Sequence, residues 1–114
     1  MSLTLRQKQS LFVQLVGRLI HYAYSQGHEL TFGEAHRSPE EAARLAASGK
    51  GIKNSLHGDR LAIDLNLFIN GTYRRSTEAH RPLGDYWESL HPDCRWGGHF
   101  GDGNHYSFTH GGRK

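Results

Sequence analysis

The sequence predicts an α+β domain, a small and mostly antiparallel sheet with flanking helices. Three features lead there. Two long segments carry apolar residues at spacings of three and four. One central segment is apolar almost throughout and ends in Asn-Gly. The remaining stretches are short, polar and rich in glycine. At 114 residues the chain reads as one domain, 1–114, long enough to bury a core without staples.

The first helix is expected from about Leu5 to Gln26. Leu11, Phe12, Leu15, Val16, Leu19, Ile20 and Ala23 make one apolar stripe, and Gly27 ends it as a C-terminal cap. His28 to Ala35 is short and partly alternating, which predicts a strand. Ser38-Pro39-Glu40-Glu41 is a helix start, with Ser38 as cap and Glu41 three residues later, and a short helix should run to Ala47. Residues 48–54 read as a loop. Leu61 to Ile69 is the central strand, and Asn70-Gly71 is a hairpin-turn signal. Thr77 to Leu90 is the second long helix, with Leu83, Tyr86, Trp87 and Leu90 on one face and Pro92 just beyond its end. Arg95 to Gly103 reads as a Gly-rich loop, and His105 to Thr109 as a final short strand.

Composition narrows the function. No apolar run approaches the roughly 20 residues of a membrane span, so no membrane partner is expected. No classical secretory leader pattern is visible at the N-terminus. Cys94 is the single cysteine, which excludes an internal disulfide framework and a multi-cysteine zinc finger. It sits between Asp93 and Arg95 in what reads as a polar loop, with no nucleophilic role to argue. The net charge of +3 favours an anionic partner, yet Lys and Arg are scattered and no nucleic-acid motif is present. Nine histidines point instead to metal or proton chemistry, unless several are simply exposed.

Two clusters offer that chemistry. His57 lies in a polar loop ahead of the central strand, and Asp64 lies inside it between Ile63 and Leu65. A carboxylate there is costly unless its charge is compensated, which a divalent metal does well; alternatively Asp64 faces solvent. The second cluster is Gly101-Asp102-Gly103-Asn104-His105. With His105 as third ligand, the set leaves one position for water, the catalytic rather than the structural zinc pattern. Asp102 is then placed to take a water proton, or it is a turn aspartate bonding its own backbone. His99 is a competing ligand six residues earlier. Arg37 is either a carboxylate or oxyanion partner or an ordinary surface ion pair. Tyr22, Tyr24, Leu83 and Trp87 read as packing residues, while His36, His80, Trp96, His99 and Tyr106 are candidates to line a peptide cleft.

In this order, Arg37-Ser38, then Ser55, His57 and Asp64 as Ser-x-His-x6-Asp, then Asp102 and His105 as Asp-x-x-His, the motifs resemble the zinc D-Ala-D-Ala carboxypeptidase and L-alanyl-D-glutamate endopeptidase family. The likeness runs from about Thr31 to Phe108 and is greatest to small phage endolysin members. It implies the hedgehog/DD-peptidase fold and a zinc ion on His57, Asp64 and His105. It also implies Asp102 as catalytic base, Arg37 as the positioning and oxyanion residue, and Ser55 as a substrate contact. Arg60 stands where many members have glycine, and Asp102 where many have glutamate.

The implied activity is hydrolysis of the peptidoglycan stem peptide, first at the L-Ala-D-Glu bond. The runner-up is D-Ala-D-Ala carboxypeptidase action. A non-catalytic zinc-containing binding module of the same fold is the other class, against which an intact Asp102 argues. A monomer is expected, held in the host cytoplasm until release and then acting on the periplasmic wall.

Overall fold

The first apolar stripe forms α1, Leu5–Ser25, in a computed structural model that describes residues 3–35, 38, 40, 44, 47 and 56–110. A capping box starts α1: the Gln7 N–H donates to the Thr4 hydroxyl, and the Thr4 N–H donates to the Gln7 side chain. Phe12, Leu15, Val16, Leu19 and Ala23 are buried. Gly27, at φ 80°, ends the helix in the left-handed region. Tyr24 corrects the packing expectation: it is 51% exposed, and its hydroxyl donates to the Leu30 carbonyl instead of entering the core.

The strand β1 is His28–Phe32, shorter than expected. Beyond it the chain leaves regular pairing while staying beside β2, Ala62–Ile69. The Gly33 N–H donates to the Asp64 carbonyl at 2.7 Å, and the Asp64 N–H to the Glu34 carbonyl at 2.8 Å. A side chain on Gly33 would press on Asp64, so glycine permits this close approach. The short helix expected at 38–47 falls largely outside the described residues, although Glu40, Arg44 and Ala47 are helical.

Asn70 and Gly71, at φ 53° and 76°, turn β2 into β3, Thr72–Arg74, a strand the sequence reading did not include. The helix α2, Thr77–Leu90, keeps its expected bounds, and the Ser76 hydroxyl caps it by accepting from the Ala79 N–H. The expected Gly-rich loop is instead the strand β4, Cys94–Trp96, and a 3-10 turn, Gly97–Phe100. The last strand, β5, is His105–Phe108. The sheet order is β1-β2-β5-β4, with β3 also paired to β2, and each pairing is antiparallel.

Alternation gives the sheet two faces. Ile63, Leu65 and Leu67 of β2 join Tyr106 and Phe108 of β5 in the core under the helices. Phe12 of α1 and Tyr106 both meet the Trp87 ring edge-on, and Tyr22 stacks on Tyr86 at 4.0 Å. Asp64 and His105, one residue out of phase with Ile63 and Tyr106, point to the opposite face. Cys94 is fully buried on β4, not in a polar loop, and burial pushes its thiol up to about 12. Among the described residues no helix is long and apolar enough to cross a membrane.

Trp96 sits between Gly84 of α2 and Gly98, and a methyl on either glycine would overlap the indole. We expect Gly84→Ala to destabilise the fold by about 3 kcal/mol, despite the better helix propensity of alanine, because the core must shift. Chemical denaturation checks this; an unchanged midpoint would mean the helix–strand spacing yields freely.

Candidate metal centre

His57 lies on a 3-10 turn, Leu56–Asp59, just before β2, and is 2% exposed. Its Nδ1 is 3.3 Å from the Ala35 carbonyl and 3.8 Å from a Glu34 carboxylate oxygen. A proton on Nδ1 therefore bonds the backbone, which makes Nε2 the candidate ligand atom. That Nε2 is 3.3 Å from Asp64 Oδ1. On β5, His105 is the direct cross-strand partner of Asp64, and its Nδ1 is also 3.3 Å from Oδ1. The three ligand atoms lie within 4.8 Å of one another.

The two 3.3 Å separations from Asp64 Oδ1 fit zinc. Donors about 2.0–2.1 Å from a tetrahedral ion stand roughly 3.3–3.4 Å apart. Two imidazole nitrogens and one carboxylate oxygen are a zinc donor set, with one side left open. The sheet pairing supplies Asp64 and His105, and the buried turn supplies His57. The close Gly33–Glu34 strand end brings up the groups that orient His57. Asp64 lies on the sheet face away from the core, partly buried between the His57 and His105 rings rather than fully solvated.

The electrostatics follow from this packing. Burial pushes the Asp64 carboxyl up, but hydrogen bonds from His105 and His57 outweigh it and hold the group down at about 2. Burial also works against a charged His57, yet the hydrogen bond and charge of Asp64, with Ala35 and Glu34, raise its pKa overall. A pH dependence of metal binding follows. In the metal-free protein, the His57–Asp64 contact favours protonated His57, fully so below about 6.5, and this is lost as pH rises through the raised value. Zinc requires the neutral ring, so its apparent affinity should fall up to about tenfold per pH unit below that value. Calorimetry in buffers of different ionisation enthalpy should show proton release at pH 6.5 and less at pH 8; equal release at both would contradict the raised pKa.

Asp102 lies on the loop that leads into β5, three residues before His105. Its backbone N–H donates to the Gly97 carbonyl at 2.9 Å, and its carbonyl accepts from the His105 N–H at 3.1 Å. Among the described residues its carboxylate makes no hydrogen bond, contrary to the turn-aspartate alternative. Burial raises its pKa; His105 opposes and Asp64 reinforces that shift. Gly101 takes φ 81°, and Gly103 lies against the Thr77 backbone, so these glycines serve the loop's own packing more than approach to a ligand. Arg60 adopts φ 57°, the conformation glycine holds most cheaply, so this departure from the motif keeps the backbone at about 1 kcal/mol of strain.

Other candidates separate from the centre. His99 is exposed on the 3-10 turn, its Nε2 2.8 Å from a Glu88 carboxylate oxygen, and is not part of the triad. Trp96 and Tyr106 are buried in the core; His80 is buried too but lines the polar groove beside Asp102, its Nδ1 2.9 Å from the Tyr106 hydroxyl. Arg37, Ser55 and His36 lie outside the described residues. The sequence reading missed Glu34 and the Ala35 carbonyl, and a backbone acceptor leaves no residue signature.

No family model and no curated protein matches this sequence. Among solved structures, the chain is similar to the crystal structure of the L-Ala D-Glu endopeptidase ChiX of Serratia marcescens. The TM-score is 0.66 at 17% identity, over 86% of this chain and 77% of that one. At that identity the likeness establishes the fold, the hedgehog/DD-peptidase type that the motifs implied.

Proposed function

We propose that this chain is a zinc-dependent peptidoglycan peptidase that cuts the stem peptide at the L-Ala-D-Glu bond. The observation that carries the reading is the His57, Asp64 and His105 cluster, with 3.3 Å donor spacings and an unligated carboxylate, Asp102, on the adjoining loop. The likeness to an L-Ala D-Glu endopeptidase favours that bond.

His57, Asp64 and His105 would hold the zinc ion, which when bound supplies Lewis acidity to the scissile carbonyl and acidifies water. Asp102 takes the proton of the attacking water and passes it to the leaving amine. Its raised pKa suits proton exchange better than a fully solvated carboxylate would. Glu34 and the Ala35 carbonyl hold the His57 ring in place. In this reading Arg37 stabilises the oxyanion and positions substrate, and Ser55 touches the peptide. The protein acts as a monomer, endolysin-like, on the periplasmic wall after release from the cytoplasm. Neither nucleic acid nor membrane is its partner.

Digestion of purified Gram-negative sacculi, with and without chelator and with zinc restored, tests this reading by mass spectrometry of the products. Zinc-dependent release of peptides beginning at D-Glu is expected. Loss of a single D-Ala would reassign the chain as a carboxypeptidase. Folded, zinc-loaded protein that cuts nothing would leave the binding-module reading.

A further inference from the structure

A polar groove of about 220 Å3 opens beside Asp102, and its walls include Asn66, Tyr73, Arg74, Arg75 and Asn104. The fold explains why these residues meet. Asn66 follows Asp64 by two residues on β2, so it shares the open face, about 7 Å further along the strand. The Asn70-Gly71 turn folds β3 back onto β2 with Tyr73 opposite Phe68, on the Asn66 face, while Arg74, opposite Leu67, and Arg75 after it join the lining at the end of β3. From the other side, the Asn104 carbonyl accepts from the Leu65 N–H at 2.9 Å, which pins the Asp102–Asn104 loop against the same strand. The groove thus runs from the candidate base toward two arginines.

Its charge is unbalanced. Arg74 and Arg75 are exposed, and among the described residues neither pairs with a carboxylate, whereas nearby Arg81 is held by Glu78 at 2.8 Å. Two guanidiniums and two amides outnumber the one acid, Asp102. Such a donor-rich wall suits a carboxylate, which a guanidinium can bind through two parallel hydrogen bonds.

Direction follows from the chemistry. Asp102 hands its proton to the leaving amine, so the leaving half of the substrate lies on the Asp102 side. We propose that this groove seats a free carboxylate on the leaving half of the peptide, held by Arg74 and Arg75, and that this contact selects the bond. The inference rests on the peptidase reading above. In a stem peptide D-Glu is joined onward through its side chain, so its α-carboxylate stands free beside the leaving nitrogen. An ordinary protein chain offers an uncharged amide at that place, and the groove would discriminate against it.

The test uses two synthetic stem peptides, identical except that one carries the D-Glu α-carboxylate as a carboxamide. Both kcat/KM of the zinc-loaded protein and affinity for the metal-free protein are measured. The carboxylate peptide should be favoured about tenfold in each, a typical scale for a partly exposed charge-assisted contact. The preference should shrink in 0.5 M salt, where the Debye length is only about 4 Å. In the R74Q/R75Q double variant it should fall close to one, while R74K/R75K keeps part of it. Equal handling of the two peptides by the unmodified protein, or an undiminished preference in R74Q/R75Q, would overturn the proposal. If the metal-free protein prefers the carboxylate but the loaded protein cuts neither peptide, the peptidase reading fails and the carboxylate groove remains. If both are cut without preference, the groove fails and the peptidase stands.

Discussion

A His57→Ala protein should lose zinc and turnover together. His57 is one of the three candidate donors among the described residues, and its loss leaves Asp64 and His105, one short of the three protein ligands a catalytic zinc site normally has. Affinity should drop by at least a hundredfold, and hydrolysis of sacculi should fall below detection. The fold should survive in weakened form. The ring is buried, so its removal leaves a small cavity and an Ala35 carbonyl without its partner, together costing about 2 kcal/mol. Paired thermal melts separate the effects. Zinc should raise the Tm of the unmodified protein, because a ligand that binds only the folded state stabilises it by mass action. In His57→Ala that zinc-dependent shift should vanish, while the lower metal-free Tm reports the cavity. His99→Ala is the control: His99 faces Glu88 away from the triad, so zinc binding should be unchanged. Full activity in His57→Ala would sink the site assignment.

Much of this arrangement was legible because the relevant signals are local. The α1 stripe from Leu11 to Ala23 and its glycine stop follow from helical periodicity, and Ser76 sets the start of α2 by capping. The triad was legible through the family resemblance of its motifs, since spacing alone left Asp64 and the choice between His99 and His105 open, and the antiparallel pairing of β2 with β5 brings Asp64 and His105 together. The missed elements owe their form to partners distant in sequence. Thr72–Arg74 is exposed throughout and carries no burial alternation, so it becomes a strand only by pairing with β2. Cys94–Trp96 is flanked by Pro92 and two glycines, and its neighbours read as loop. What makes it a strand is pairing with β5 and the seating of Trp96, whose Nε1 donates to the Gly103 carbonyl at 2.7 Å. The same burial withdraws Trp96 and Tyr106 from the cleft that their aromatic character suggested.

Asp102→Asn should separate chemistry from metal binding. The exchange keeps the side chain's size and removes its ability to take a proton. The loop is held by Asp102 backbone atoms, through Gly97 and His105, and asparagine keeps both of those bonds. Structure and Tm should therefore change little. Zinc affinity should weaken only a few-fold, because Asp102 is exposed and its charge acts on the centre from outside the donor set. Turnover should fall by about 10²–10⁴, the usual contribution of a positioned general base. Asp102→Glu gives the complementary result. It restores the carboxylate one methylene further out, as in many members of the family that the motifs resemble, and activity should return to within about tenfold of the original, an excess barrier of no more than ~1.4 kcal/mol. Zinc titration beside single-turnover kinetics on a stem peptide reads both quantities. If Asp102→Asn lost zinc in proportion to activity, Asp102 would be acting on the metal centre rather than as the base. If it kept full turnover, the proton would have to be taken by another group.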